Sequence, residues 1–97
     1  MPKAYWIGCY RKISDEAALG EYAKLAGPAI IAGGGRFLAR GGVAKVFEAG
    51  LFERTVLVEF DSVEQAEQTY NSAAYREALD KIAGKVERDI RIVESIA

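Results

Sequence analysis

The chain has 97 residues, 51% of them apolar and 28% charged, and a net charge of −1 from thirteen basic and fourteen acidic side chains. That length holds one domain, taken as residues 1–97, with an adequate but thin core. Its basic residues are scattered, which excludes a nucleic-acid footprint and a basic membrane-surface helix. No apolar run approaches the roughly 20 residues of a bilayer span.

Residues 3–11 (KAYWIGCYR) predict a first strand. Tyr5, Ile7 and Cys9 fall on one face, and Ala4, Trp6 and Tyr10 on the other, so both faces of the strand should be covered. Ser14 and Asp15 offer helix caps. Leu19, Tyr22, Ala23, Ala26 and Ile30 recur at spacings of three and four, which predicts a helix from about Asp15 to Ala32. Pro28 should kink or break it, and Gly33-Gly34-Gly35 should end it.

Arg36–Arg40, Gly41-Gly42 and Val43–Ala49 read as one long strand with a glycine bulge or two short strands, the bulged strand being the preferred reading. Arg54–Phe60 is the clearest strand, with Val56, Val58 and Phe60 on one side and Thr55, Leu57 and Glu59 on the other. Ser62, with Gln65 three residues on, has capping-box spacing. Val63, Ala66 and Tyr70 form the buried stripe of that helix. Asn71-Ser72 interrupts it, Ser72 caps a further helix over 73–83, and Gly84 closes it. Glu87–Ile96 is the last strand, with Ile90, Ile92 and Ile96 on one face.

The order strand, helix, strand, strand, helix, strand predicts an α+β, ferredoxin-like βαββαβ protomer. Its sheet is antiparallel, with the helices on one face. The other sheet face would be bare in a monomer, so a two-fold homodimer packed sheet against sheet is expected.

With one cysteine, Cys9, and an opening MPKAYWIGCY that lacks the pattern of a secretory signal, a reducing, cytoplasmic setting is expected. There is no histidine. The commonest general base and metal ligand is therefore missing, and no metal or cofactor is expected. The glycine spacing fits neither a phosphate loop nor a dinucleotide fingerprint. Cys9 reads as a small buried apolar residue rather than a nucleophile.

Several stretches occur together in order: Tyr5-Trp6, then Gly34-Gly35-Arg36-Phe37-Leu38 followed by Arg40-Gly41-Gly42. Val58-Glu59-Phe60 ahead of Ser62 comes next, then Tyr70-Asn71-Ser72 followed by Tyr75. Together they resemble the DUF 1330 family (domain of unknown function), within the dimeric α+β-barrel superfamily, over nearly the whole chain. The resemblance implies a homodimer whose two sheets close into a barrel-like core. It implies no activity. Relatives in the superfamily include cofactor-free monooxygenases, haem-degrading proteins, muconolactone isomerases and stress-response proteins. Ala73 stands where the family often has proline. The pocket histidine of several enzymatic relatives is missing, so its ligand and proton-transfer roles do not carry over.

Arg36, Arg40 and Glu59 are the leading site candidates. Arg36, Leu38 and Arg40 share a face by period two, barring a bulge, and the hairpin should bring Arg40 near Glu59. As a site, the arginines would grip a small anionic or carbonyl-bearing ligand, and Glu59 would be the best candidate for a catalytic base. As structure, they would be an Arg–Glu pair fixing register or interface, which is the preferred reading. Tyr70 and Tyr75 flank the helix interruption and are placed to line an opening, whereas Trp6 and Tyr22 read as core. The resulting expectation is a small-molecule pocket between sheet and helices, with Arg40, Glu59, Tyr70, Tyr75 and Arg36 around it. Any chemistry would be cofactor-independent, on a small carbonyl, phenolic or acid compound, by superfamily analogy. The alternative is a non-catalytic structural or regulatory dimer.

Overall fold

A computed structural model describes residues 2–97. Strand β1 (Ala4–Ile13) leads into helix α1 (Glu16–Ala32), then β2 (Arg36–Gly41) and β3 (Thr55–Phe60). Helices α2 (Val63–Tyr70) and α3 (Ala73–Ile82) follow, and β4 (Val86–Glu94) closes the chain. The sheet order is β2-β3-β1-β4, and every neighbouring pair is antiparallel. This is the expected ferredoxin-like arrangement.

The pleat sorts β1 as its alternation requires. Ala4, Trp6, Gly8 and Tyr10 are buried beneath the helices, while Tyr5, Ile7 and Cys9 lie half-buried on the opposite, open face. Val58 and Phe60 of β3 join the helix side. Leu57 and Glu59 stay on the open one, opposite Ile7 and Tyr5 of β1. Trp6 centres the core. Its ring meets Tyr75 edge-on at 5.1 Å between centroids and stacks on Phe60 at 5.9 Å.

The caps form where the sequence places them. Asp15 accepts from the Ala18 N–H, Ser62 from the Gln65 N–H and Ser72 from the Tyr75 N–H. The Gln65 side chain reaches back one residue further than a capping box requires, and accepts from the Asp61 N–H. At the end of α1, Gly34 takes φ +95°, a conformation that only glycine adopts without strain. Beside it, a Cβ on Gly35 would lie 2.6 Å from Ile30 and 2.8 Å from Phe60, so the turn from α1 into β2 leaves no room for a side chain. Helix α1 runs through Pro28 without the expected break. That proline is exposed, so the carbonyl it leaves without a helical partner can bond to water.

Three expectations need correction. The second strand stops at Gly41, and residues 42–54 form a loop rather than a continuation over Val43–Ala49. β3 starts at Thr55, paired with Gly41, so residues beyond Gly41 have no strand to pair with. The bulge lies earlier than expected, between Phe37 and Ala39. Finally, Ile96 lies beyond β4 and is fully exposed, so it does not share the buried face of Ile90 and Ile92.

Candidate functional site

The extra residue at Leu38 decides where the arginines go. Arg36 pairs with Glu59 and Phe37 with Val58, but after the bulge Ala39 pairs with Leu57 and Arg40 with Val56. A bulge shifts every later side chain to the other face. Arg36 therefore stays on the open face with Glu59, and Arg40 passes to the helix side with Val56.

On the helix side there is a cavity of about 30 Å³, roughly the space of two water molecules. Gly8 forms its floor in the middle of β1, where a Cβ would meet Ile90 Cδ1 at 3.2 Å. Leu19, Tyr22, Ala26 and Ile30 of α1 roof it. Arg40, Arg54 and Arg88 line it, and no aspartate or glutamate does. Arg40 lies over the Phe37 ring, 4.4 Å from its centroid.

Arg88 is the centre of this site. Period two along β4 puts it on the same face as Ile90 and Ile92, opposite Tyr10 of β1. Its Nη1 donates to the phenol oxygens of Tyr10 at 3.1 Å and Tyr22 at 3.0 Å, and its Nη2 donates to Tyr75 at 3.0 Å. The Tyr22 and Tyr75 hydroxyls also bond to each other at 2.5 Å. The guanidinium lies over the Tyr22 and Tyr10 rings, 4.9 and 5.4 Å from their centroids. No carboxylate pairs with Arg88, Arg40 or Arg54 among the described residues.

The electrostatics follow from this packing. Burial opposes the charge on Arg88, but the three phenol oxygens more than compensate, and its pKa is raised. Burial pushes the Tyr75 phenol well above its ordinary value, and the neighbouring Tyr22 adds to the effect. Burial also raises Tyr10, with Arg88 pulling the other way. Tyr75 and Tyr10 are thus held as neutral donors and acceptors at neutral pH.

The open face is built differently. Arg36 Nε donates to Glu59 Oε1 at 3.0 Å, and its Nη2 donates to Asp61 Oδ1 at 3.0 Å. These bonds raise the Arg36 pKa, Glu59 contributing most. Lys3 Nζ lies 3.8 Å from Glu59 and 3.7 Å from Asp61. Two cations and two anions thus satisfy one another at the sheet surface.

A family model for DUF1330, a domain of unknown function, matches residues 3–96. The chain belongs to the DUF1330 family. No curated protein matches it by sequence. Several solved structures share the fold of this DUF1330 chain. One is a protein of unknown function from Rhodopseudomonas palustris, 15% identical, with TM-score 0.77 over 99% of this chain and 84% of that one. A dimeric ferredoxin-like protein of unknown function from Thermobifida fusca is 20% identical, with TM-score 0.68 over 97% and 92%. An EthD-family protein from Bacillus halodurans is 16% identical, with TM-score 0.67 over 97% and 99%.

Of the five residues expected around the pocket of this DUF1330 chain, Arg40 alone lines the cavity, while Trp6 and Tyr22, read as core, line it too. The expected approach of Arg40 to Glu59 does not occur, because the Leu38 bulge separates them onto opposite faces. Glu59 and Arg36 cannot reach the cavity from the open face. Tyr75 is fully buried and reaches the cavity's edge only through its hydroxyl bonds to Tyr22 and Arg88. Tyr70 borders a second groove between α3 and the β4 edge, with Leu79 and Ile82, which shares Arg88 and Ile90 with the cavity.

Sequence reasoning missed Gly8, Arg54 and Arg88. Two signals were available. Gly8 interrupts an otherwise bulky strand, which marks a close approach or a space. Arg88 falls in phase with Ile90 and Ile92, so a charged residue occupies a position whose neighbours go inward.

Among the described residues, no cluster of side chains could hold a metal ion. Among the described residues, no helix is long and apolar enough to cross a membrane.

Proposed function

We propose that this chain is a small-molecule-binding protein that works as a homodimer, with the ligand seated between the sheet and α1 above Gly8. The observation that carries this reading is Arg88. It is a half-buried cation bordering a cavity, held only by phenol oxygens and without a counter-charge. Structural arginines in such positions are ordinarily paired with a carboxylate. Apolar walls with a few convergent polar groups are the usual composition of a ligand site. Arg40 would stand at the rim.

Two observations support the homodimer. Tyr5, Ile7 and Leu57 lie on a sheet face that no helix among the described residues covers, and Val93, Phe47 and Phe52 are 48, 79 and 69% exposed. The Thermobifida fusca neighbour is itself described as dimeric.

The alternative, a structural dimer without a ligand, draws on the open-face network. Arg36, Glu59, Asp61 and Lys3 are fully engaged with one another, as a register clamp would be.

A fragment screen by ligand-observed NMR on wild-type protein and Gly8→Val separates the two. Valine at this position puts methyl groups into the cavity floor. The expected result is a set of hits on the wild type that vanish in the folded variant. Hits that persist in Gly8→Val, or no hits at all, would remove the ligand reading.

A further inference from the structure

The cavity lining has a donor–acceptor balance that points to a class of ligand, an inference that rests on the ligand reading above. Three arginines border the cavity and no acid does, although the chain as a whole carries a net charge of −1. A site of one sign within a balanced chain concentrates ions of the opposite sign.

The protons of the phenol cluster can be followed. Tyr75 is fully buried, and among the described residues its hydroxyl has one acceptor, the oxygen of Tyr22. If Tyr22 donated instead, the Tyr75 proton would be buried without a partner, at a cost of about 1–3 kcal/mol. Tyr75 is therefore the donor in that pair. This leaves the O–H protons of Tyr22 and Tyr10 without an acceptor, and both residues line the cavity. Arg88 spends three of its N–H donors on phenol oxygens. A guanidinium has five, so two remain. The cavity wall thus offers donors, and its side chains offer no carboxylate to receive them.

Size and surroundings narrow the class further. A space of about 30 Å³ takes two oxygen-sized atoms, which suits the two coplanar oxygens of a carboxylate better than the tetrahedral oxygens of a phosphate. Trp6, Phe37, Val56 and Ile90 surround it with aromatic and branched apolar groups. We propose that the ligand is a small monocarboxylic acid whose carboxylate alone fills this space, with its apolar body extending outward past Arg40 at the rim. The carboxylate sits against Arg88 and the Tyr10 and Tyr22 hydroxyls, and Arg40 and Arg54 stand beside it.

Calorimetric titration of the full-length protein tests this with three probes of one shape: benzoate, benzamide and phenyl phosphate. Benzoate should bind about 10-fold or more tightly than benzamide, since hydrogen bonds to a charged group are the stronger ones. Arg88→Met should abolish that preference, and Tyr10→Phe, which keeps the ring and removes only the hydroxyl, should reduce it several-fold. Tyr10→Phe keeps the test open should Arg88→Met fail to fold. Equal binding of benzoate and benzamide, both lost in Gly8→Val, would overturn the carboxylate assignment and leave the cavity as a site. Tighter binding of phenyl phosphate than of benzoate would also overturn it. Binding of benzoate undiminished in both Arg88→Met and Tyr10→Phe would place the anion elsewhere. Absence of binding by all three probes would overturn the ligand reading together with this one.

Discussion

Arg36 and Arg88 sit on opposite faces of one small sheet and are handled in opposite ways. On the open face, Arg36 is exposed and meets two carboxylates, Glu59 and Asp61. On the helix face, Arg88 is half-buried and meets three phenols and no carboxylate. A surface arginine surrounded by acids is electrostatically closed, and an approaching anion would compete with groups already in place. An arginine solvated by neutral hydroxyls keeps its full charge and can still attract an anion. The lesson is that a charged residue points to a candidate site by what it lacks, and this chain places that lack where helices and sheet leave a gap.

The largest expected effect concerns the open face itself. Leu57→Asp puts a charge at the centre of the uncovered apolar surface, away from the cavity. It should halve the sedimenting mass at micromolar concentration, from dimer to monomer, with the circular dichroism of the fold retained. A wild-type protein that already sediments as a monomer would show that the open face is not a subunit interface.

The next effect is on the helix side. Tyr75→Phe removes the hydroxyl that accepts from Arg88 and bonds to Tyr22, and should cost about 1–3 kcal/mol in urea unfolding. It should also change the response to alkali. The folded pKa values of Tyr75 and Tyr10 are raised, so their neutral forms stabilise the fold fully below the ordinary phenol value of about 10. That stability is lost as pH rises above it. Wild-type protein should therefore weaken steeply above about pH 10, and Tyr75→Phe less so. Parallel pH profiles for the two proteins would show that the phenol is not held in its neutral form by the fold.

Arg36→Met should have the smallest effect. Its ion pairs are at the surface, where such pairs contribute little, and Lys3 still faces Glu59 and Asp61 afterwards. The urea midpoint should move less than for Tyr75→Phe, and the difference should disappear near 1 M salt, where the screening length is about 3 Å. A larger shift than that of Tyr75→Phe would reverse the comparison and make the open-face network the more important of the two.

What could be read from the chain alone was local. Asp15, Ser62 and Ser72 cap helices because their short side chains reach an N–H three residues on, and the spacing is visible in one dimension. The alternation in Thr55–Phe60 sorts side chains between two faces without reference to any partner, and the order of elements then leaves few ways to build a sheet. The DUF1330 resemblance rests on the same kind of short, ordered motif.

Tertiary structure decided the candidate site, because its residues meet only through pairings between distant segments. The single-residue bulge at Leu38 exists only in the register of β2 against β3, yet it carries Arg40 to the helix side and leaves Arg36 and Glu59 behind. Arg88 meets Tyr10 across 78 positions of sequence and Tyr22 across 66. No spacing rule links such residues. Only the antiparallel pairing of β1 with β4, and the packing of α1 and α3 above them, brings three phenols and one guanidinium to the space over Gly8.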